Sequence, residues 1–225
     1  MNYVIIVAGG MGARMNADVP KQFLLLHGKP ILLRTIEAFY QYSSSLKIIL
    51  GLPEDYIKKW EDICHHHKHP LKETIVVGGA TRFQTVKRCL DKITDLNGCV
   101  AIHDGVRPFV TKKIIEDSFR EAKKGTGAVA SLTLKESLRT IKKEGFTLAV
   151  DRNEYILVQT PQTFPVNLIK EAYKQQEYPY MTDDAVVAER AGFAITLIPG
   201  SERNIKITTP MDLKIANVLY NQEGD

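Results

Sequence analysis

The first candidate for chemistry is residues 8–21, a glycine-rich loop with two cations that follows an apolar run at residues 3–7. Glycines after an apolar strand let the backbone approach a ligand and turn its N–H groups toward an anion. Arg14 and Lys21 could neutralise several phosphate oxygens at once. The loop therefore indicates a polyphosphate site. Its candidate residues are Ala8, Gly9, Gly10, Gly12, Arg14 and Lys21.

Two common phosphate-binding motifs do not fit this loop. The chain contains no GxxxxGK[ST] sequence, which excludes a P-loop. A dinucleotide fingerprint would need a third glycine where Met15 stands. It would also need an acidic residue after the second strand, where the chain has Leu50 and Gly51. A dinucleotide-dependent oxidoreductase is therefore disfavoured.

A carboxylate and an arginine follow another apolar run, residues 100–103. Ligands of open α/β sheets collect beyond the carboxyl ends of the strands, so Asp104 would face a triphosphate held by the first loop. Because the two would repel each other, we expect Mg²⁺ between them, held by Asp104, phosphate oxygens and water. The alternative is a structural ion pair of Asp104 with Arg107.

Three further segments carry weaker signals. Residues 78–82 read Gly-Gly-Ala-Thr-Arg after an apolar run, so backbone groups there could recognise the edge of a base. Residues 159–162 and 204–210 complete the set. A single lysine is usually a surface charge, and Lys206 becomes chemically interesting only if it meets Lys21.

Short apolar runs alternate with helical patterns along the chain, which predicts βαβ units and a mostly parallel sheet with helices on both faces. Thr81 with Gln84 fits a capping box, and Thr209 before Pro210 fits a second helix start. The predicted strands cover residues 3–7, 47–50, 74–77, 100–103, 128–132 and 194–198. The predicted helices cover residues 31–42, 55–66, 82–92, 112–124, 167–175 and 183–191.

Residues 137–158 interrupt this alternation. They resemble two strands around a Lys-Lys-Glu-Gly turn, with apolar residues on both halves. An isolated two-stranded hairpin is marginally stable, so packing against a second subunit would stabilise it. An antiparallel edge hairpin on the main sheet fits the pattern equally well.

Length and composition are those of an ordinary globular protein. With 225 residues, of which 44% are apolar and 25% charged, the chain can form one large domain, residues 1–225. The net charge of +4 suits an anionic small substrate, and no basic block indicates nucleic acid. No apolar run approaches the ~18 residues that span a bilayer, and no signal sequence is recognisable. The three cysteines form no CxxC pair, so we expect a cytoplasmic protein. We also expect that it binds no membrane.

Taken together, these segments resemble the 2-C-methyl-D-erythritol 4-phosphate cytidylyltransferases of isoprenoid biosynthesis. Each landmark is a weak signal, whereas the whole set, in the family's order and spacing from residue 4 to about residue 220, is specific. The shared landmarks are the loop at 8–14, Pro20-Lys21-Gln22, Gly78-Gly79 with Arg82, His103-Asp104-Gly105-Val106-Arg107-Pro108, Asp151-Arg152, Thr160-Pro161-Gln162, Thr182-Asp183 and Asn204-Ile205-Lys206.

The resemblance implies a Rossmann-like fold of the nucleotide-diphosphosugar transferase type, and a homodimer in which residues 137–158 reach into the neighbouring subunit. It implies transfer of CMP from CTP to the polyol phosphate with Mg²⁺. The residues implied to bind CTP are Ala8, Gly9, Gly10, Gly12, Gly79, Ala80, Arg82, Thr85, Asp104 and Gly105. Those implied to be catalytic are Arg14, Lys21 and Lys206, and Asp104 is the implied metal ligand. Those implied to bind the polyol phosphate are Arg107, Ser137, Arg152, Thr160 and Thr182.

The chain departs from many relatives at three of these positions. Thr85 stands in place of a serine and Ser137 in place of a threonine, so both hydroxyls are kept. Ala80 replaces an acidic residue of some relatives. Two other functions stay open at this point: a ribitol 5-phosphate cytidylyltransferase, which has almost the same motifs, and a non-catalytic nucleotide-binding module. Arg152 favours methylerythritol phosphate over ribitol phosphate as the acceptor.

Overall fold

Strands and helices alternate through the protein, whose computed structural model describes residues 1–10, 19–142 and 145–222. The strands are β1 (Asn2–Val7), β2 (Leu25–Leu26), β3 (Lys29–Pro30), β4 (Lys47–Leu52), β5 (Thr74–Val77), β6 (Cys99–Asp104), β7 (Gly127–Thr133), β8 (Leu138–Ile141), β9 (Thr147–Val150), β10 (Ile156–Pro165) and β11 (Ile195–Pro199). The helices are α1 (Ile31–Tyr42), α2 (Ile57–His66), α3 (Arg82–Leu90), α4 (Lys112–Ala122), α5 (Val166–Ala172), α6 (Asp184–Arg190) and α7 (Pro210–Asn221).

Seven of the strands form one sheet, in the order β11-β7-β10-β6-β1-β4-β5. The pairs of β1 with β4 and β6, of β4 with β5, and of β7 with β11 are parallel, as the alternation of strands and helices predicted. The predicted strands and helices are present, with ends that shift by a few residues. The α/β fold with a mostly parallel sheet is therefore confirmed.

Each face of the sheet is covered by helices, because side chains of a strand point alternately to opposite faces. Val4 and Ile6 of β1 pack into one buried cluster with α1, α2 and α4. Tyr3 and Ile5 pack into a second cluster with α3, α5 and α6. Strands buried on both faces read as continuous apolar runs, which is why the sequence marked them so clearly.

The strand β10 was missed from the sequence. It lies antiparallel between β6 and β7, although Pro161 falls within it. A proline argues against a central strand, because it cannot donate a ladder hydrogen bond. Here the register with β7 shifts between Val158 and Gln162, so the proline lies at an irregularity where that bond is not needed.

The hairpin of β8 and β9 forms a two-stranded sheet of its own. Among the described strands these two pair only with each other, so the hairpin is not an edge of the main sheet. The predicted end of the projecting segment at residue 158 is too late. Ile156 already pairs with Thr133, and Val158 with Ser131, in the main sheet. No described helix combines the length and apolar character needed to cross a membrane.

The contact of β4 with α3 depends on a glycine. A Cβ atom on Gly51 would lie 2.6 Å from Thr85 Cγ2 and 3.2 Å from Cys89 Sγ. The first distance is shorter than real Cβ contacts show and the second is tighter than most, so only glycine lets α3 lie this close to the sheet. Because α3 begins at Arg82, the glycine also fixes where that residue stands.

We expect Gly51→Ala to lower the free energy of unfolding by about 1–3 kcal/mol, because the added methyl group overpacks the contact with α3. Adding Thr85→Ser removes the colliding Cγ2 atom and keeps the hydroxyl, so the double variant should recover most of the loss. Urea unfolding of the two variants, of Thr85→Ser alone and of the wild-type protein measures this. If Gly51→Ala and the double variant with Thr85→Ser were equally unstable, the expectation would be contradicted.

Candidate functional site

Four of the predicted loop residues, Ala8, Gly9, Gly10 and Lys21, line a cavity of about 400 Å³ at the carboxyl ends of the parallel strands. This is the edge at which open α/β sheets bind their ligands. Lys21 and Lys206 line the same cavity, which is the condition under which Lys206 becomes chemically interesting. The cavity is lined by Val7, Ala8, Gly9, Gly10, Lys21, Gln22, Gly79, Ala80, Thr81, Arg82, Thr85, Asp104, Val106 and Lys206.

The loop after β1 is held by a residue that the sequence did not single out for itself. Gln22 is buried, and its Nε2 donates a hydrogen bond to the carbonyl oxygen of Ala8 at 2.8 Å. A Cβ atom on Gly10 would lie 3.5 Å from Lys21 Cε, so the lysine stem runs along the glycine backbone. The predicted site residues Gly12 and Arg14 lie outside the described residues. A polar residue directly after the phosphate-site lysine was the available signal for Gln22.

The start of α3 uses up backbone donors at the cavity wall. Thr81 Oγ1 accepts a hydrogen bond from the N–H of Gln84, which confirms the predicted cap. The second half of the predicted capping box is wrong, because Gln84 Oε1 accepts from the N–H of Ala80 rather than from that of Thr81. Thr85 Oγ1 accepts from the N–H of Gly79 at 3.0 Å. A ligand at this corner therefore meets the N–H groups of Gly79 and Ala80 already bonded to side chains of α3.

Asp104 is a nearly buried carboxylate surrounded by cations. Its Oδ2 lies 3.1 Å from Arg107 Nε and 3.1 Å from Lys206 Nζ, and its Oδ1 lies 3.9 Å from Arg82 Nε. Burial alone would raise the pKa of Asp104, but the charges of Arg82, Lys206 and Arg107 outweigh it and hold the pKa well below its ordinary value. The structural ion pair of Asp104 with Arg107 is present. It does not exclude a ligand, because Lys206, which lines the cavity, contacts the same oxygen of Asp104.

A histidine and a threonine fix the backbone that carries Asp104. His103 Nε2 lies 3.1 Å from the carbonyl oxygen of Arg107, which can only accept, so Nε2 carries the hydrogen. In the neutral ring Nδ1 then accepts from Thr160 Oγ1 at 3.0 Å. The same hydroxyl accepts from the N–H of Asp104 at 3.1 Å. The hydroxyl hydrogen of Thr160 therefore points at His103, and its predicted contact with substrate stays a prediction.

A second cavity, of about 160 Å³, adjoins the first. Arg82, Asp104 and Lys206 line both cavities and form the wall between them. The other lining residues of the second cavity are Arg107, Val158, Gln159, Thr160, Gln162, Thr182 and Asp183. Three predicted polyol-phosphate residues, Arg107, Thr160 and Thr182, are therefore brought together by the fold.

Two predicted residues, Ser137 and Arg152, line neither cavity. Both are exposed at the ends of the hairpin, and Arg152 donates a hydrogen bond to the carbonyl oxygen of Lys135.

Gly105, another predicted site residue, lies behind the cavity wall. A Cβ atom there would approach Leu32 Cδ1 to 3.0 Å and Ala8 Cβ to 3.1 Å, so the glycine permits close packing behind the first loop.

The donor set fits a hard divalent cation only with help from a ligand. The described residues contain no group of three His, Cys, Asp or Glu side chains that could hold a metal ion. Mg²⁺ is commonly bound by one carboxylate together with phosphate oxygens and water. Asp104 is the one carboxylate among the residues that line the first cavity, and its Oδ1 lies 3.9 Å from Arg82 Nε. The Asp104 carboxylate is thus the candidate ligand for a metal that arrives with a polyphosphate.

Acid should weaken the fold through His103. Burial lowers the pKa of His103 to about 4, from an ordinary value of 6.5. Between these values the unfolded chain binds a proton that the folded protein does not, so stability falls as the pH is lowered from about 6.5 to about 4. The shift corresponds to roughly 3 kcal/mol.

His103→Gln keeps a donor and an acceptor but cannot titrate, so its free energy of unfolding should fall less steeply over this pH range than that of the wild type. His65→Gln, at an exposed histidine of α2, is the control and should keep the wild-type slope. Urea unfolding at several pH values gives the three slopes. Parallel curves for the wild type and His103→Gln would contradict the expectation.

The comparisons with known proteins agree with this geometry. A profile of the 2-C-methyl-D-erythritol 4-phosphate cytidylyltransferase family matches residues 2–222. The enzyme of that name from Phocaeicola vulgatus is 48% identical over 217 residues, 96% of this chain and 98% of the relative. The one from Bacteroides fragilis is 45% identical over 215 residues, 96% of this chain and 97% of the relative.

Solved structures lead to the same family. The crystal structure of 4-diphosphocytidyl-2C-methyl-D-erythritol synthase from Anaerococcus prevotii has a TM-score of 0.84 at 26% identity, over 98% of this chain and 96% of that one. The 2-C-methyl-D-erythritol 4-phosphate cytidylyltransferase from Thermus thermophilus has a TM-score of 0.78 at 28% identity, over 98% of this chain and 100% of that one. This chain belongs to the 2-C-methyl-D-erythritol 4-phosphate cytidylyltransferase family.

Proposed function

We propose that the protein transfers CMP from CTP to 2-C-methyl-D-erythritol 4-phosphate, releasing pyrophosphate and forming 4-diphosphocytidyl-2-C-methyl-D-erythritol for isoprenoid biosynthesis. The observation that carries this proposal is the pair of adjoining cavities with a common wall of Arg82, Asp104 and Lys206. A transferase must bring two substrates into contact, and a wall shared by two cavities is where that contact occurs. Membership of the family supplies the identity of the substrates.

The larger cavity is the proposed CTP site. Gly9, Gly10 and Lys21 line its loop side, where backbone N–H groups and an ammonium group suit a triphosphate. We assign Arg14 to the same triphosphate on the strength of the family motif. The remaining proposed CTP residues are Ala8, Gly12, Gly79, Ala80, Arg82, Thr85, Asp104 and Gly105.

The smaller cavity is the proposed site of the polyol phosphate. Arg107 and Lys206 lie 3.1 Å from the same oxygen of Asp104, so one excess positive charge stands at its entrance. Thr182 also lines this cavity. A phosphate dianion at this point is attracted by the cations and is separated from CTP only by the common wall.

The chemistry needs no general base. A phosphate monoester has a second pKa of about 6, so at pH 7 it is already a dianionic nucleophile. Its oxygen attacks the α-phosphorus of CTP, the new P–O bond forms, and the bond to the β-phosphate breaks to release pyrophosphate. The main barrier is the repulsion between two anions. Lys21, Lys206 and Arg14 offset it and stabilise the charge that builds on the five-coordinate phosphorus.

We propose Asp104 as the protein ligand of Mg²⁺. Its ionised carboxylate, which contacts Arg107 and Lys206 through Oδ2, would hold the ion together with phosphate oxygens of CTP. When bound, the ion supplies additional positive charge to the phosphate oxygens of CTP. The family's use of CTP is compatible with a divalent cation.

The hairpin supports a proposed homodimer. Ile141 is 83% exposed and Phe146 71%, and Leu148 is also exposed, which is an unusual load of apolar surface for a short two-stranded sheet. Burial against a second subunit would remove this surface from water. In the proposed dimer, Ser137 and Arg152 reach the partner's smaller cavity, which accounts for their absence from the lining of both cavities described above. We further propose that the chain is a single cytidylyltransferase domain and that it acts in the cytoplasm.

Turnover tests the function directly. We expect pyrophosphate release from CTP and 2-C-methyl-D-erythritol 4-phosphate, and much slower release with ribitol 5-phosphate. Lys21→Ala should lower kcat by about 100- to 1,000-fold, because it removes a cation that stabilises developing charge. Lys113→Ala, at an exposed lysine of α4, is the matched control and should behave as wild type. Faster turnover of ribitol 5-phosphate would reverse the choice of acceptor. CTP binding without turnover of either polyol would favour a non-catalytic module.

Subunit mixing tests whether the hairpin completes the neighbouring site. Lys21→Ala inactivates the part of a site that its own chain supplies, and Arg152→Ala removes the hairpin arginine that the neighbouring chain supplies. A mixed dimer of the two inactive variants has one site in which both Lys21 and the neighbour's Arg152 are intact. Random mixing in equal amounts should therefore restore about a quarter of wild-type activity. If Arg152 serves its own chain, the mixture stays inactive.

A further inference from the structure

A buried carboxylate outside both cavities grips one residue of their common wall. Asp184, the first residue of α6, is fully buried. Its Oδ1 accepts from Arg82 NH1 at 2.8 Å and its Oδ2 from Arg82 NH2 at 2.6 Å. Two parallel hydrogen bonds of this kind fix the plane of a guanidinium as well as its position. The orientation of Arg82 is therefore set from behind, by α6.

Asp184 is itself held at several points. Tyr173 Oη donates a hydrogen bond to its Oδ1 at 2.6 Å, and the Tyr173 ring stacks on Phe83 with centroids 4.7 Å apart. Gln162 Oε1 accepts from the N–H groups of Asp184 and Ala185, both at 2.9 Å. Burial raises the pKa of Tyr173 well above its ordinary value, so the phenol remains a donor. The carboxylate thus has little freedom to follow a moving partner.

Arg82 keeps donors for a ligand. A guanidinium has five N–H groups, and Asp184 takes two of them. Arg82 Nε points toward Asp104, 3.9 Å from Oδ1, and 24% of the side chain is exposed. Because Arg82 lines both cavities, the remaining N–H groups stand where a phosphate of either substrate would arrive.

The positive charges around Asp104 require a second carboxylate beside Arg82. Arg82, Arg107 and Lys206 all act on Asp104. Without Asp184, three cations would surround one carboxylate in a largely buried space, and Arg82 would be driven toward solvent. Burial alone would lower the pKa of Arg82, but Asp184, with a further contribution from Asp104, outweighs it and raises the pKa above its ordinary value. Asp184 therefore keeps a cation at the wall while offsetting its repulsion with Lys206 and Arg107.

We propose that Asp184 and Tyr173 are positioning residues that hold Arg82 at the common wall, where its free N–H groups contact phosphate oxygens of both substrates. This inference rests on the proposed function and assigns Arg82 to both substrates rather than to CTP alone. Asp184 and Tyr173 touch neither substrate. They act only through Arg82.

A double-mutant cycle in activity tests this. Arg82→Met and Asp184→Asn should each lower kcat/KM for both substrates, by about 10- to 100-fold, since small misplacements in an active site have effects of that size. The double variant should be no worse than Arg82→Met, because Asp184 then has nothing to position. Effects that multiply in the double variant would overturn the proposal, as would a loss confined to the KM of one substrate.

Tyr173→Phe keeps the test decisive if Asp184→Asn folds poorly. It removes one hydrogen bond and keeps the ring, so we expect a loss of about fivefold in kcat/KM, from ~1 kcal/mol of lost interaction. In the Arg82→Met background the same change should have no effect. Tyr3→Phe, in the same apolar cluster, is the control and should leave activity unchanged. A Tyr173→Phe variant that loses only thermal stability and keeps full kcat/KM would overturn the proposal.

Failure of the proposed function is a separate outcome. In that case the wild-type protein releases no pyrophosphate from CTP and either polyol phosphate. The cycle is then measured as CTP affinity by calorimetry, where Arg82→Met and Asp184→Asn should again be non-additive. Additive losses of CTP affinity would overturn the positioning role.

Discussion

The site depends on the attraction between one carboxylate and three cations that come from different parts of the fold. Arg82 begins α3, Arg107 lies in the turn after β6, and Lys206 lies ahead of α7. Removing a carboxylate from water is unfavourable unless charges and hydrogen bonds compensate, and here they do so from three directions. The carboxylate of Asp104 therefore ties these segments together, and the two cavities share a wall because the segments meet there.

The sheet explains why the segments can meet. Parallel strands β1, β4, β5 and β6 deliver their loops to one edge, and the antiparallel β10 brings Thr160 and Gln162 alongside β6. Thr160 then bonds His103 and the N–H of Asp104, while Gln162 holds the start of α6. Two side chains from one strand thus support the backbone of Asp104 and the backbone of Asp184, which in turn holds Arg82. Inside this part of the core, His103, Thr160 and Gln162 each have a hydrogen-bond partner within the protein.

Much of this arrangement could be read from the sequence, and the exceptions have physical causes. Apolar runs and helix caps gave the α/β order, because each is a local pattern. The strand β10 was hidden by Pro161, which removes a donor and breaks the usual expectation for a central strand. The hydrogen bonds of Gln84 and Gln22 depend on side-chain directions that periodicity does not encode. The role of Asp184 was invisible for a similar reason, since its partner Arg82 is distant along the chain.

The shared wall has a consequence for how acceptor preference can diverge among related enzymes. Arg82, Asp104 and Lys206 face both cavities, so under the proposed assignment of the cavities any change there alters the handling of the nucleotide together with that of the acceptor. Thr182 and Asp183 face only the smaller cavity. Substitutions that change the preferred polyol are therefore expected at positions outside the wall, while the residues of the wall stay the same. Enzymes that share a nucleotide and differ in acceptor can then keep nearly the same motifs, and an inhibitor seated on the wall would not tell them apart.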